Sequence, residues 1–466
     1  MEFVNERLVE LNEFLKKSKV AIIGLGVSNI PLLDYMCNLK ANVTVFDDRE
    51  IDKIPKEILD KVTKYNLDYS FGANSLSKLT GFDIIFRSPS CMPTKVELQE
   101  EEKRGAIITT EIEMFMKVFP GRVIGITGSD GKTTTTSLIY EILKHNGYNC
   151  YLGGNIGIPL FTKLNEMKPK DIAVLELSSF QLMNMQISPD ISVITNITPN
   201  HLNVHSSYQE YIEAKKNIFK YQNDDGILVL NYDNDITREC KNEAEGKVIF
   251  FSGNTKLDDG IILDNFIIKE CKNKLRRHIV NTDDLMLRGK HMHEDVCAAI
   301  AATSSLVNIE ETIEIIKKFK GVEHRLEFVR ELNGVKWFND SIGTSPTRTI
   351  AGLYSFNQRI TLIAGGYDKN LDYLPLAKPL LENVDNLILI GQTAGKIFEV
   401  VKEEAEKQKK NINIYVCDEF EETILTAKKV TKSGDIVLFS PASASFDMFK
   451  DFADRGNKFK ELVNNL

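Results

Sequence analysis

At 466 residues the chain exceeds what one hydrophobic core can organise and predicts two to four domains. Its hydrophobic and charged fractions are those of an ordinary globular protein, and a net charge of −8 argues against nucleic acid or an anionic membrane as partner. Seven scattered cysteines without a CxxC pair argue against a disulfide framework or zinc site and for reduced thiols in a cytoplasm, and no apolar run approaches membrane-spanning length.

The N-terminal stretch MEFVNERLVELNEFLKK is charged and amphipathic, unlike a secretion signal or a transit peptide. Short β-rich apolar runs then alternate with helical patterns: 20–23, 43–46, 84–86, 123–127, 173–177, 193–196 and 227–231, resuming at 360–364, 387–390, 412–416 and 436–439. Such alternation predicts α/β architecture with largely parallel sheets and ligands at the C-terminal strand ends. Boundaries are expected near 109–120 and 318–321, giving domains over 1–110, 111–320 and 321–466. Periodicity between residues 253 and 284 is weak and leaves that stretch unassigned.

The first run leads into Gly24-Leu25-Gly26-Val27-Ser28-Asn29, a strand followed by G-x-G, with Asp47 ending the next strand. Three readings stand: an NAD site, a modified Rossmann unit holding another nucleotide's pyrophosphate, or a purely structural turn. Ser88-Pro89-Ser90 forms a further loop on the same rim.

The most informative stretch is VIGITGSDGKTTTT, residues 123–136. A buried strand breaks at Gly128-Ser129-Asp130-Gly131, and Lys132, Thr133 and Thr134 open a helix. Glycines let backbone N–H groups close on phosphate oxygens, and the helix start adds positive potential. Lys132 can reach terminal phosphates and the Thr133 hydroxyl can ligate Mg²⁺. The run is G-x-x-G-K-T, shorter than the usual spacing, and a bland Gly-rich turn is the competing reading.

Glu176 ends the next buried run, where a Mg²⁺ ligand belongs beside a phosphate loop, although an exposed strand-end carboxylate looks the same. His201 could ligate metal, but a lone His in a polar loop is more often simply solvated. Lys215 sits in a helical pattern over 208–221, where composition favours a solvated face. Farther on, Glu323-His324-Arg325, Asn339-Asp340-Ser341, Gly365-Gly366-Tyr367-Asp368-Lys369 and Ser440-Pro441-Ala442-Ser443-Ala444-Ser445 follow apolar runs or start elements. Their shared position predicts one cleft offering N–H and hydroxyl donors to a carboxylate.

Taken together, GLGVSN, SPS, TGSDGKTT, GGNIGIP, LELSSFQL, NHLNVH with AKKNIF, EHRLE, FNDSIGTSP, GGYDKNLDY and SPASASFDMFKDFADRG resemble the Mur ligases over essentially the whole length. The pairing of LELSSFQL with SPASASFDMF points to the D-glutamate-adding branch. The resemblance implies three domains: a Rossmann-like N-terminal domain, a P-loop ATPase-like central domain with a mainly parallel sheet, and a Rossmann-like C-terminal domain. It implies ATP-dependent amide formation through an acyl phosphate, in peptidoglycan precursor synthesis and hence cell-wall growth, shape and division. Substrates would be UDP-N-acetylmuramoyl-L-alanine, D-glutamate and ATP, with two Mg²⁺ ions, in a cytoplasmic monomer.

Carried over residue by residue, Gly128, Ser129, Asp130, Gly131, Lys132, Thr133 and Thr134 would bind ATP, joined by Arg325 and Asp340. Thr133, Glu176, His201 and Lys215, the last as a carbamate, would hold Mg²⁺, with Lys132, His201 and Lys215 catalytic. Val27, Ser28, Asp48, Ser88, Asn155 and His201 match contacts to the UDP-substrate. Thr344, Lys369, Ser445, Phe446 and Phe452 match the D-glutamate pocket. The chain departs from the pattern where H-N-x-x-N is His291-Met292-His293-Glu294-Asp295, where Lys and Asn after Asp-Ser are Ile342 and Ser345, and at Ser90 and Asn203. Another amino-acid-adding Mur ligase, or a regulatory nucleotide-binding protein with slow ATP hydrolysis, is the alternative. The absence of N-K-x-D argues against a guanine-nucleotide switch.

Overall fold

The structure, a computed structural model, describes residues 3–199, 205–356, 358–369 and 371–466. Three sheets are present among the described residues. The chain packs as two compact units, one of Met1–Asn281 with Glu294–Ile316, the other of Thr282–His293 with Lys317–Leu466.

The first sheet comprises β1 (Lys19–Ile23), β2 (Asn42–Asp47), β3 (Asp68–Phe71), β4 (Ile84–Arg87) and β5 (Ile107–Thr109), in the order β3-β2-β1-β4-β5 and parallel throughout. Four of the five β1 residues are buried, as a strand covered on both faces requires. The helix Glu6–Lys17 buries Leu8, Leu11 and Leu15 on one stripe, and the Asn5 side chain caps it by accepting from Leu8 N.

The second sheet of the same unit comprises β6 (Arg122–Thr127), β7 (Cys150–Gly154), β8 (Ile172–Glu176), β9 (Ile191–Ile194), β10 (Ile227–Asn231), β11 (Lys247–Ser252), β12 (Gly260–Asp264), β13 (Ile267–Lys272) and β14 (Leu275–Asn281). Its order is β14-β13-β12-β11-β10-β9-β6-β8-β7, so β6 lies between β8 and β9. The chain steps outward from β6 to β7, returns through β8, and continues on the other side of β6 with β9. That reversal opens a crevice at the C-terminal end of β6. The stretch left unassigned by periodicity is an antiparallel meander, β12 to β14. Its two-residue turns, Asn265-Phe266 and Asn273-Lys274, all have positive φ, the primed geometry that suits hairpin twist.

The other unit holds β15 (Glu327–Leu332), β16 (Val335–Asn339), β17 (Ile360–Gly365), β18 (Val384–Ile390), β19 (Asn413–Val416) and β20 (Ile436–Phe439), ordered β15-β16-β20-β17-β18-β19. Only β15 runs antiparallel to its neighbour. Apolar clusters around Leu362, Leu387 and Leu438 on one face and Ile363, Ile388 and Phe439 on the other cover both sides of this sheet.

Candidate active site

The loop after β6 is built by its neighbours. Asp130 N donates to Asn196 Oδ1 at 2.9 Å, and Thr195 Oγ1 donates to Asp130 O at 2.5 Å, so the end of β9 shapes the turn. Gly128 and Gly131 have φ of +152° and +80°, and a Cβ on either would collide, with Thr195 Oγ1 and Asp295 Oδ1 respectively. Only glycine supplies that backbone without displacing a neighbour. Ser129 Oγ donates to Thr198 O and lies 2.9 Å from Tyr211 OH. Lys132 Nζ folds back on its own loop, donating to Gly128 O at 2.9 Å and Ser129 O at 3.0 Å. The helix Lys132–His145 starts from Gly131 without a side-chain cap and buries Thr134, while Thr133 stays half-buried at its mouth.

Lys215 does not lie on a solvated face: it is 1 % exposed. Its Nζ donates to Gly128 O at 2.8 Å and Thr127 Oγ1 at 3.3 Å and sits 4.7 Å from the Tyr211 ring centroid. Burial pushes its amine well below the ordinary value, the Lys132 ammonium adds to the drop, and Asp130 and Glu176 oppose it. Glu176, at the end of β8, is 2 % exposed rather than solvated. Its Oε1 accepts from Asn155 Nδ2 at 2.9 Å, whereas its buried Oε2 has no hydrogen-bond partner. A buried carboxylate oxygen without a protein donor, beside a phosphate loop, has the chemistry that suits a Mg²⁺ ligand.

Two side chains here escaped the sequence reading. Tyr211 lies one helical turn before Lys215, and the i, i+4 spacing was the available signal. His205, 3 % exposed, stacks on Phe180, with Nε2 3.0 Å from Ser179 Oγ and Nδ1 3.5 Å from Glu210 Oε2. Burial lowers its basicity against the pull of Glu210. His201 and Asn203 lie outside the described residues. Among the described residues no cluster of three His, Cys, Asp or Glu side chains could hold a metal by itself.

The N-terminal sheet carries a second opening. Gly24, Asp48, Ser75, Ser88 and Ser90 line a cavity of about 190 Å³ at the ends of β1, β2 and β4. Ser88 Oγ lies 3.0 Å from Ser90 Oγ. Val27 is 79 % exposed and Ser28 precedes the helix Asn29–Leu39; neither lines that cavity. Asn155 instead sits with Glu176. Asp47 is committed internally: Oδ2 accepts from Leu25 N at 2.8 Å, and Arg49 donates to both its oxygens. The NAD reading thereby loses the carboxylate that would read a ribose. Asn29 donates to Ile23 O and Gly24 O, locking the G-x-G loop. Arg87, 2 % exposed at the end of β4, donates to Cys91 O and Met183 O and so ties this rim to the segment after Glu176.

In the other unit the four singled-out motifs gather at one sheet edge, following β16, β17 and β20 or preceding β15. Asp340 is buried, with Oδ2 accepting from Ser440 Oγ at 2.6 Å and Oδ1 from Leu326 N at 3.2 Å. Burial raises its carboxyl to about 6, opposed by that hydroxyl, by Arg325 and by Arg348. Lys369 Nζ lies 5.3 Å from the Phe446 ring centroid, next to buried Ser445. Ser341 Oγ donates to Phe452 O at 2.7 Å, joining that residue to the loop of Thr344. Arg455, missed from sequence, is 1 % exposed and donates to Ser341 O, Ser443 O and Ala444 O. Its place on the buried stripe with Phe459 and Val463 marked it as structural.

Three family models match in order along the chain: the Mur ligase MurD-like N-terminal domain over 18–110, the Mur ligase middle domain over 126–303, and the Mur ligase glutamate ligase domain over 324–443. The chain belongs to the Mur ligase family. Each matched domain contains one of the three sheets or its greater part. Relatives named UDP-N-acetylmuramoylalanine--D-glutamate ligase run the full length: one from Acetivibrio thermocellus is 46 % identical over 99 % of this chain and 100 % of its own. One from Clostridium tetani is 45 % identical over 99 % and 100 %, and one from Clostridium acetobutylicum 45 % over 98 % of each. Among solved structures, the UDP-N-acetylmuramate-alanine ligase of Thermotoga maritima aligns with a TM-score of 0.58 at 18 % identity, covering 96 % of this Mur ligase and 99 % of that chain. The MurF ligase of Thermotoga maritima in complex with ADP aligns at 0.54 and 18 %, covering 97 % and 96 %. At such identities the structural likeness concerns the fold.

Proposed function

We propose that this Mur ligase joins D-glutamate to UDP-N-acetylmuramoyl-L-alanine at the expense of ATP, releasing ADP and phosphate, as a cytoplasmic monomer in peptidoglycan precursor synthesis. The observation that carries the reading is the identity of 45–46 % to D-glutamate ligases over 98–99 % of this chain and 98–100 % of theirs.

The alanyl carboxylate of the UDP-substrate attacks the γ-phosphorus of ATP, and the bond to the leaving ADP oxygen breaks. Lys132 swings from its own loop carbonyls to the phosphoryl oxygens and offsets their charge during transfer. The free amine of D-glutamate then attacks the acyl carbon, loses a proton, and phosphate departs as the amide forms. Lys369 and the Ser445–Phe446 edge, with Thr344 and Phe452, hold the glutamate. Ser88 and Asp48, with Val27, Ser28 and Asn155, hold the uridine diphosphate, and Arg325 and Asp340 join the nucleotide site. Glu176, whose buried Oε2 lacks a protein donor, would hold Mg²⁺ together with Thr133, a carbamylated Lys215 and His201, the last outside the described residues; two ions are expected. Bound there, Mg²⁺ would neutralise charge where two anions must meet. Lys215 suits carbamylation because CO₂ adds only to a neutral amine, and burial favours the neutral form.

Phosphate release is measured with ATP and each substrate alone and together. Release that requires both UDP-N-acetylmuramoyl-L-alanine and D-glutamate supports the assignment. Release with ATP alone indicates a slow hydrolase, and release with another amino acid in place of D-glutamate moves the chain to another branch of the family.

A further inference from the structure

The central sheet has a further cavity at the end away from the phosphate loop. It measures about 690 Å³ and opens at the N-terminal ends of β6, β9 and β10. Arg122 begins β6 at this cavity, whereas Thr127 ends the same strand at the phosphate loop. None of its lining residues belongs to the candidate active site.

The walls are braced. Gln222 is 8 % exposed, and its Nε2 donates to Pro189 O at 2.9 Å, Ile227 O at 3.1 Å and Ser192 Oγ at 3.2 Å. Its Oε1 accepts from no donor among the described residues, which leaves an unmet acceptor on a side chain more than nine-tenths buried in the cavity wall. Ser188 Oγ donates to Asn217 O and accepts from Tyr221 N, both at 3.0 Å, and so fixes the chain that carries the Tyr221 ring. Gly226 N donates to Asn223 O at 3.0 Å, and a Cβ on Gly226 would lie 2.9 Å from Gln222 Cβ. The turn bearing Asp225 is therefore packed against Gln222.

Three charged side chains line this frame: Arg122, Asp190 and Asp225. All three are exposed, and no ion pair joins Arg122 to either carboxylate. Asp190 Oδ2 is held by Val123 N at 2.7 Å, while the Arg122 guanidinium and the Asp225 carboxylate make no side-chain hydrogen bond among the described residues. Tyr221 is 47 % exposed and offers a ring face at the same opening. Opposite charges that share a cavity without meeting can be bridged by a ligand that carries both. A guanidinium suits a carboxylate, and a carboxylate beside an aromatic face suits an ammonium. Two acids against one base disfavour a phosphate-bearing polyanion. The volume is that of a site for a drug-sized molecule, larger than one amino acid requires.

We propose that this cavity binds a short zwitterionic peptide, with its carboxylate on Arg122 and its ammonium between Asp225 and the Tyr221 ring. The inference stands apart from the ligase reading.

The test is calorimetric titration of the full chain with L-alanyl-L-phenylalanine, its N-acetyl derivative and its C-terminal amide. The free dipeptide should bind, and either capped form should bind about tenfold more weakly or worse. Arg122→Ala should weaken the free dipeptide by a similar factor, and in that variant the dipeptide and its amide should bind alike. Asp225→Asn should in the same way abolish the difference between the dipeptide and its N-acetyl form. Thermal melting confirms that both surface variants fold, and ligase turnover without peptide should match wild type. Excess Mg-ADP or D-glutamate should leave the dipeptide Kd unchanged. No heat of binding up to about 10 mM dipeptide overturns the proposal. Equal binding of free and capped peptides in wild type, or unaltered binding in a folded Arg122→Ala protein, also overturns it. Displacement by Mg-ADP or D-glutamate would place the peptide in the candidate active site, and tighter binding of adenosine than of the dipeptide would make this a stacking site for a nucleoside; either result refutes the assignment.

Discussion

Glu111 offers a measurable consequence of burying an acid at a domain junction. It stands at the start of the helix Glu111–Val118, is 5 % exposed, and its Oε1 accepts from Phe161 N at 2.9 Å. Burial raises its carboxyl from 4.5 to about 7, with the backbone N–H groups of Phe161 and Leu160 opposing the rise. Between those values the folded protein keeps a proton that the unfolded chain has released. Stability therefore falls as pH rises through that window, is unaffected by this group below it, and has lost the full contribution above it. A shift of about 2.5 units at 1.36 kcal/mol per unit corresponds to roughly 3 kcal/mol. Glu111→Gln keeps the acceptor for Phe161 N and removes the ionisation. At pH 8 the variant should be more stable by up to about 3 kcal/mol, while at pH 4 the two proteins should match. For a unit of roughly 300 residues, with about 2.1 cal/mol/K of unfolding entropy each, that is a rise in Tm of about 5 °C at pH 8. Melting curves of both proteins from pH 4 to 8 read it directly. Parallel profiles, or a variant weaker at every pH, would refute the burial argument.

Lys132→Ala should leave the fold intact and reduce kcat by the equivalent of about 2–4 kcal/mol, or roughly 30- to 1000-fold; near-normal turnover would remove the phosphate loop from the chemistry. Lys215→Arg should be nearly inactive, and wild-type activity should fall on stripping CO₂ and bicarbonate and return on adding them; a fully active Lys215→Arg enzyme contradicts the carbamate. Asp295, buried against Gly131, places a carboxylate beside the phosphate loop, so Asp295→Asn should lower the ATP KM by an amount equivalent to about 0.5–3 kcal/mol; an unchanged or higher KM sinks that argument. Lys369→Ala should raise the KM for D-glutamate far more than that for ATP, and equal rises would assign Lys369 to structure or to the nucleotide.

What sequence made legible was chemistry carried by the backbone and by strand ends. The phosphate loop is visible because glycine, lysine and threonine are each demanded at a defined place, and its neighbours only refine the turn. The parallel strands are visible because burial on both faces makes them continuous apolar runs. The meander β12 to β14 is not, because β14 leaves four successive residues, Leu275 to His278, exposed and so shows no apolar alternation, and its turns use Phe266 and Lys274 instead of glycine. Met292, where the Mur pattern has an amide, is 1 % exposed, whereas Asp295 lies against Gly131 of the phosphate loop and is the informative half of that pair. His205 is invisible for a related reason. A polar residue in a loop or helix looks solvated until the elements that bury it are assembled.

The two lysines of the central site show how far burial alone can separate identical side chains. Lys132 and Lys215 both donate to Gly128 O, so their amines converge on one carbonyl. Lys132 is half-buried on the loop, with a flexible stem, and donates to the loop carbonyls of Gly128 and Ser129. Lys215 is enclosed beneath it by Thr127, Gly128 and the Tyr211 ring, and has nowhere to move. A second ammonium in that enclosure would face both desolvation and the charge of Lys132, which is why its amine is driven towards the neutral form. A neutral amine can take up CO₂ and become an anion. The same proximity that is repulsive between two ammoniums would become attractive between carbamate and ammonium. Replacing Lys215 with arginine keeps the repulsive state permanently, whereas replacing Lys132 removes the charge that helps neutralise Lys215. Hence Lys132→Ala should also make Lys215 more basic and its carbamate harder to form at a given CO₂ concentration. In ¹³C NMR with labelled bicarbonate, the carbamate signal of Lys132→Ala should require more bicarbonate than that of wild type, and equal occupancy would show that the two amines do not communicate.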